Sequence, residues 1–386
     1  MRIAIIFNSL GPYHISRLNS IGKHIEVYGI EVTNINNSNV SNIICCETEF
    51  EKVTLFDDNE INQIDFLDIC SVFQNEMKKI NPEVVVIPGW SAKCAIIALK
   101  WCVLNKVPAV VMSDSFIKTE SLFDIKERVK KRIISLFSSA LVAGTVHFDY
   151  LKSMGVPENS IYKGYDVVDN EHFSNTNKSH SKYDLPDKYF ISVSRFVDEK
   201  NIINMLKAYS IYRKKNGSNS WKFVLVGDGY LKKEIEKFLD THNLHGYLIL
   251  PGFKRYDELP IYYGFANAFI LASVSETWGL VVNEAMASGL PVLVSEQCGC
   301  VTDLVKKNGF SFDPYNVDEI EGLMQKISSG ECNLELMGNI SKEIISKWSL
   351  ELFATNLLKA AHLAKTNPEK KLGIIDRVLL WVLKYI

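Results

Sequence analysis

The chain has 386 residues, a formal net charge of −2, 47% apolar residues and 23% charged residues. This length suits two domains rather than one, and the composition excludes a disordered or collagen-like chain. The near-neutral charge excludes nucleic-acid binding by bulk electrostatics.

"RIAIIF" (2–7) reads as the first strand and follows Met1 directly, so no signal peptide is expected. The loop after it carries Gly11-Pro12-Tyr13-His14. Helices are expected over Ile64–Ile80 and Ser91–Lys106, the latter stopping before Pro108. "EVVVIP", "PAVVMS" and "SALVAG" read as further buried strands, and Asp114 stands at the end of the second of these. "FDIKERVKKRIISLF" (123–137) reads as a basic amphipathic helix with Ile125, Val129, Ile133 and Phe137 on one face. Its basic side has two readings, a solvated face or a contact with anionic lipid. The polar stretch "NEHFSNTNKSHSKYDLPDK" has no apolar period and reads as a linker over 171–188.

The strands "YFISVS", "WKFVLVG", "YLILPG", "AFILAS" and "PVLVS" then build a second α/β unit, and the chain beyond Gly330 reads as helical. The fold class is therefore α/β, with two Rossmann-like domains facing a central cleft: 1–170, and 189–347 after the linker. Helices over 348–386 are expected to return to the first domain. The apolar end Ile374–Ile386 is too short to span a bilayer, for which ~20 residues are needed, and reads as packed rather than membrane-bound. The eight cysteines follow no disulfide spacing, and "CGC" (298–300) has no second pair at zinc spacing. A reduced, cytoplasmic setting and no metal are expected.

In open parallel sheets, ligands sit beyond the carboxyl ends of the strands, so the loops there carry the candidate site. "SETWGLVVNEAMASG" (275–289) follows a strand and starts a helix near Gly279 that ends at Gly289. The main-chain N–H groups of Trp278, Gly279 and Leu280 in its first turn suit an anion. Glu276 precedes the helix, and Glu284 lies one turn beyond Leu280 among apolar residues. A buried carboxylate can be satisfied by paired hydroxyls, such as a ribose diol. Arg195 and Lys200 flank the loop "SRFVDEKNI" and suit a diphosphate. Gly227-Asp228-Gly229 forms a tight turn after a strand, and Phe253-Lys254 stands where a flat base could rest.

"SRFVDEKNI", "LVGDG", "PGFKRYDEL" and "SETWGLVVNEAMASGLPVLVS" resemble, in order and spacing, the retaining glycosyltransferases of the two-Rossmann (GT-B) architecture, glycosyltransferase family 4 above all. The resemblance covers 189–315 closely and the first half more loosely. It implies that Arg195 and Lys200 hold the donor diphosphate, Glu284 the ribose hydroxyls and Glu276 the transferred sugar. It also implies that anomeric configuration is retained, that no metal is required, and that the leaving phosphate takes the acceptor proton.

The reading is of a hexosyltransferase that draws on a nucleotide-sugar donor, a UDP-sugar first and a GDP-sugar second. Its acceptor is a glycan or lipid-linked saccharide held by the first-domain loops (Gly11, His14, Asp114). Where relatives carry a glycine pair this chain has Gly-Pro-Tyr-His, and where many carry a histidine it has Asp114. The alternatives are a nucleotide-sugar epimerase on the same scaffold and a non-catalytic nucleotide-sugar-binding partner subunit.

Overall fold

The computed structural model describes residues 1–34, 48–57, 63–116, 125–175, 185–366 and 373. The chain divides into two units, Met1–Val167 together with the segment from Leu350, and Val168–Ser349.

The first unit runs β1 (Arg2–Phe7), α1 (Pro12–Gly22), β2 (Glu26–Thr33), β3 (Glu51–Phe56), α2 (Phe66–Ile80) and β4 (Val84–Pro88). It continues through α3 (Lys93–Asn105), β5 (Ala109–Ser113), α4 (Ile125–Ile134), β6 (Ser139–Val142), α5 (Thr145–Ser153) and β7 (Ile161–Lys163). The second unit runs α6 (Asn170–Ser174), β8 (Tyr189–Val193), α7 (Ile202–Asn216), β9 (Lys222–Val226), α8 (Lys232–Thr241), β10 (Leu248–Gly252) and α9 (Leu259–Gly264). β11 (Ala268–Leu271), α10 (Leu280–Ala287), β12 (Val292–Ser295), α11 (Val301–Leu304), β13 (Gly309–Phe312), α12 (Val317–Ser328) and α13 (Leu334–Ser346) complete it. α14 (Leu350–Thr366) belongs to the first unit.

Both sheets are parallel throughout, ordered β3-β2-β1-β4-β5-β6-β7 and β10-β9-β8-β11-β12-β13. Each reverses direction beside its first strand, the doubly wound Rossmann order. The central strands are buried on both faces because helices cover both sides, which is why they read as unbroken apolar runs. Four strands escaped the sequence reading: β2, β3, β7 and β13. β3, β7 and β13 are edges, and β2 carries Glu26, Gly29 and Glu31 inside its run.

Two elements differ from expectation. Within the stretch read as linker, Asn170–Ser174 is a helix, capped by Asp169 accepting from the His172 N–H at 3.0 Å and anchored by the fully buried Phe173. The basic helix spans Ile125–Ile134, shorter than expected; Ile133 and Phe137 are buried, whereas Val129 is 36% exposed and so lies off the apolar seam. Phe123 and the segment Ile374–Ile386 lie outside the described residues.

α14 packs on α1, β6 and β7 through Phe353, Leu357, Ala360, Ala361 and Ala364, all buried. The small alanines bring its backbone close, and Ser139 Oγ donates to the Ala360 carbonyl at 2.7 Å. The helix is therefore part of the first unit's core. Leu357→Ala should lower stability by about 2–5 kcal/mol, read as an earlier denaturant transition. An unchanged transition would show that α14 contributes little.

Candidate functional site

In the second unit, the strand order reverses between β8 and β11, and the loops after these strands hold the candidate residues. Arg195 and Lys200 lie in the loop after β8; Glu276 lies in the loop after β11. Lys200 Nζ and Glu276 Oε2 form an ion pair, with side chains only 14% and 15% exposed. Ser273 Oγ donates to the same Glu276 oxygen at 3.3 Å. The Glu276 carbonyl accepts from the Gly299 N–H at 3.2 Å, which ties this loop to the one after β12. Arg195 is exposed on the same loop as Lys200.

Gly279 is the N-cap of α10 with φ +102°, a left-handed conformation that glycine tolerates best. α10 therefore begins at Leu280, where a start near Gly279 was expected. It closes in a Schellman motif, with Gly289 at φ +81° and the Leu290 and Gly289 N–H groups bonded to the Ala285 and Met286 carbonyls. The Trp278 ring is buried, donates from Nε1 to Asn283 Oδ1 at 2.9 Å and lies 5.1 Å from the Trp348 ring. Its side chain is thus part of the core, leaving only its main chain for the role expected of it.

Glu284 is fully buried, and its Oε2 accepts from the Tyr263 hydroxyl at 2.7 Å. A solvated helix charge is excluded. The expectation that hydroxyls satisfy this acid holds here with a protein hydroxyl, that of Tyr263. Tyr263 was missed, although a tyrosine inside an apolar helix signals a hydroxyl in need of a partner.

Gly227 and Gly229 form the turn after β9. A Cβ on Gly227 would lie 1.9 Å from the Ser194 carbonyl oxygen, and one on Gly229 2.4 Å from that of Phe196. The glycines thus let this turn press against the Arg195–Lys200 loop, where the Phe196 N–H donates to the Asp228 carbonyl at 2.8 Å. Asp228 is exposed, and the Gly229 N–H donates to its Oδ1 at 2.8 Å; that bond first, then Lys232, holds its carboxyl below the usual range. Phe253 is 59% exposed after β10, and Lys254 Nζ lies 5.5 Å over the Tyr262 ring. Cys298 and Cys300 are buried, and burial above all raises the Cys300 thiol well above its ordinary value, which fits passive thiols.

The first unit gathers a second group. Gly11 precedes α1, with Pro12 in its first turn, and the Gly11 N–H donates to His14 Nδ1 at 3.0 Å. His14 lies 4.2 Å from the Phe7 ring, and burial, then the charge of Arg17, pushes its pKa down to about 3. Arg17 is itself buried, donating to the Val167 carbonyl at 3.0 Å and pairing with Asp166 at 3.3 Å. Asp114 follows β5 in a turn where the Ser115 N–H donates to Ser113 Oγ at 3.1 Å. Glu31 on β2 was not foreseen. It is fully buried and accepts from the Leu10 N–H at 3.0 Å, from Thr54 Oγ1 at 2.9 Å and from Lys52 at 2.7 Å. This network fixes the loop that leads to Gly11.

Two parallel Rossmann-like units in this order form the GT-B fold. The structure matches that of Anabaena Alr3699/HepE in complex with UDP with a TM-score of 0.73 at 14% identity, covering 93% of this chain and 99% of that one. It matches sucrose-phosphate synthase from Thermosynechococcus elongatus with a TM-score of 0.73 at 16% identity, covering 93% and 97%. Residues 174–345 match the family model for glycosyl transferases group 1. Over 167 residues the chain is 30% identical to alpha-monoglucosyldiacylglycerol synthase of Acholeplasma laidlawii, spanning 42% of this chain and 40% of the relative. The corresponding enzyme of Streptococcus pneumoniae is 26% identical over 220 residues, spanning 55% of this chain and 48% of the relative. The match thus spans less than half the length of these curated relatives.

The His14 geometry makes a testable statement about pH. Its folded pKa of about 3 lies below its ordinary 6.5, so the unfolded chain takes up the proton first. Stability therefore falls as pH drops from 6.5 towards 3, and it is unaffected by this group above that range. In an NMR titration the His14 imidazole should keep its neutral signature from about pH 5 to 8, the range in which an unperturbed imidazole changes charge. A midpoint near 6.5 would contradict the assignment.

Proposed function

We propose that this protein is a retaining, metal-independent glycosyltransferase that moves a hexose-type sugar from a nucleoside-diphosphate sugar to a glycan or lipid-linked saccharide. The observation that carries the reading is the pairing of Lys200 with Glu276 at the reversal point of the second sheet, beside Arg195 and the start of α10. The match of this segment to glycosyl transferases group 1 supports it.

Breaking a sugar–phosphate bond leaves negative charge on the departing diphosphate while the sugar becomes cation-like. Fixed cations and N–H dipoles at the leaving group stabilise that state. In this reading Arg195 and Lys200 hold the diphosphate, with the main chain of Trp278, Gly279 and Leu280 adding donors at the helix start. Glu276 orients the transferred sugar and keeps Lys200 in place until the donor arrives. Glu284 takes the ribose hydroxyls, the Gly227-Asp228 turn shapes the wall, and Phe253 and Lys254 border the base. Gly11, His14 and Asp114 hold the acceptor. The departing phosphate takes the acceptor proton.

A UDP-sugar is the favoured donor, in line with the UDP bound to the HepE protein, and a GDP-sugar is the second option. A lipid-linked or glycolipid acceptor accords with the diacylglycerol-glycolipid synthases among the relatives. No described helix is long and apolar enough to cross a membrane. We place the reaction in the cytoplasm at the inner membrane face, with the exposed Arg128, Lys131 and Arg132 of α4 against anionic lipid.

Calorimetric titration of UDP, GDP and ADP, with EDTA present, tests the reading. One nucleotide should bind at micromolar affinity to the wild type. Glu284→Ala should weaken it at least tenfold, the scale of one lost charge-assisted hydrogen bond at about 1.5–3 kcal/mol. Arg195→Ala should also weaken binding, by removing the exposed cation from the diphosphate, and should cut turnover of bound donor. Binding that depends on a divalent metal, or wild-type behaviour from both variants, would remove the site assignment.

A further inference from the structure

Glu284 and Tyr263 are both fully buried, the acid on α10 and the tyrosine on α9, joined by a hydrogen bond of 2.7 Å. The Tyr263 ring has little freedom. Phe173 of α6 meets it edge-on, with centroids 6.0 Å apart, and Phe269 of β11 lies at 6.1 Å. α6 is held to α10 in turn, because the Ser288 hydroxyl lies 2.9 Å from the Phe173 carbonyl oxygen and 3.0 Å from that of Glu284, sharing its one O–H between them. Three helices therefore converge on one carboxyl group and its hydroxyl partner.

We propose that Tyr263 is a positioning residue that fixes the plane of the Glu284 carboxylate, and thereby sets the preference for a ribose over a 2′-deoxyribose in the donor nucleotide. The proposal rests on the reading that Glu284 receives the ribose hydroxyls. A carboxylate offers about four acceptor positions in one plane, and its terminal torsion is soft. A fixed O–H donor at one oxygen restrains that torsion, so the other positions point one way before any ligand arrives. A diol needs both hydroxyls directed into that plane. Without the Tyr263 hydroxyl the carboxylate loses this restraint and a charge-assisted bond. A site built to bond a hydroxyl rejects a ligand that lacks it, and that rejection depends on the acceptor being held in place.

The test measures dissociation constants for UDP, GDP and ADP and for the 2′-deoxy counterpart of each. The proteins compared are the wild type, Tyr263→Phe, Glu284→Ala and Phe173→Leu. With the nucleotide that binds, the wild type should favour the ribo form at least tenfold. Tyr263→Phe removes one hydroxyl and keeps the ring; its ratio should fall to within about threefold of unity, chiefly through weaker ribo binding. Phe173→Leu loosens the packing of the ring but leaves the hydroxyl beside Glu284, and should lower the ratio clearly less than Tyr263→Phe does.

If Tyr263→Phe retains the wild-type ratio while Glu284→Ala loses it, the Tyr263 inference alone is overturned. It is overturned equally if Phe173→Leu lowers the ratio as far as Tyr263→Phe does, because packing would then account for the effect. If the wild type binds no nucleotide, binds both sugars equally, or discriminates as well without Glu284, the reading of Glu284 fails and the inference falls with it.

Discussion

The reversal of strand order between β8 and β11 is the constraint on which the site in the second unit depends. Crossover helices leaving these two strands cover opposite faces of the sheet, so the loops that start them diverge at the carboxyl edge. The loop after β8 supplies Arg195 and Lys200, and the loop after β11 supplies Glu276. Their ion pair closes over the reversal point, and Gly227 and Gly229 let the neighbouring turn press in beneath it. The first sheet repeats the arrangement, with the Gly11–His14 loop leaving β1 beside its own reversal.

A second constraint is that a carboxylate removed from water needs donors. Glu276 has Lys200 and Ser273, Glu284 has Tyr263, and Glu31 has Leu10, Thr54 and Lys52. The pairing at Glu276 bears on how the site would receive an anion. The Lys200 charge is already matched, so long-range attraction for a diphosphate falls mainly on the exposed Arg195 and the start of α10. Lys200 would act at short range, shared between Glu276 and the phosphate.

How much of this the sequence carried follows from where each interaction originates. Strands buried on both faces read as apolar runs, so most of both sheets and the places of the loops were legible. Edge strands such as β3 and β13 were not, because half-exposed runs such as "EKVTLF" and "GFSF" lack that signature. α6 was hidden for a similar reason: one buried Phe173 among polar residues makes no period. The anomaly of Glu284 was plain as an acid among Val281, Val282, Ala285 and Met286. Its partner was not, since the bond to Tyr263 spans 21 residues and exists only once α9 and α10 are packed. Lys200 and Glu276 lie 76 residues apart, and only the parallel register of β8 and β11 brings them together.

His14 shows how the loop after β1 is held. A glycine pair leaves a loop free to wrap an anion with backbone N–H groups, whereas here the Gly11 N–H is occupied by His14 Nδ1. The same device recurs at α5, where the Gly144 N–H donates to His147 Nδ1 at 3.2 Å. An imidazole that accepts at Nδ1 and stays neutral must carry its proton at Nε2. His14 can therefore offer a hydrogen bond, but it cannot take up a proton without giving up the Gly11 contact or charging a partly enclosed ring beside Arg17. In the first unit's loop, that makes it a hydrogen-bond donor rather than a base.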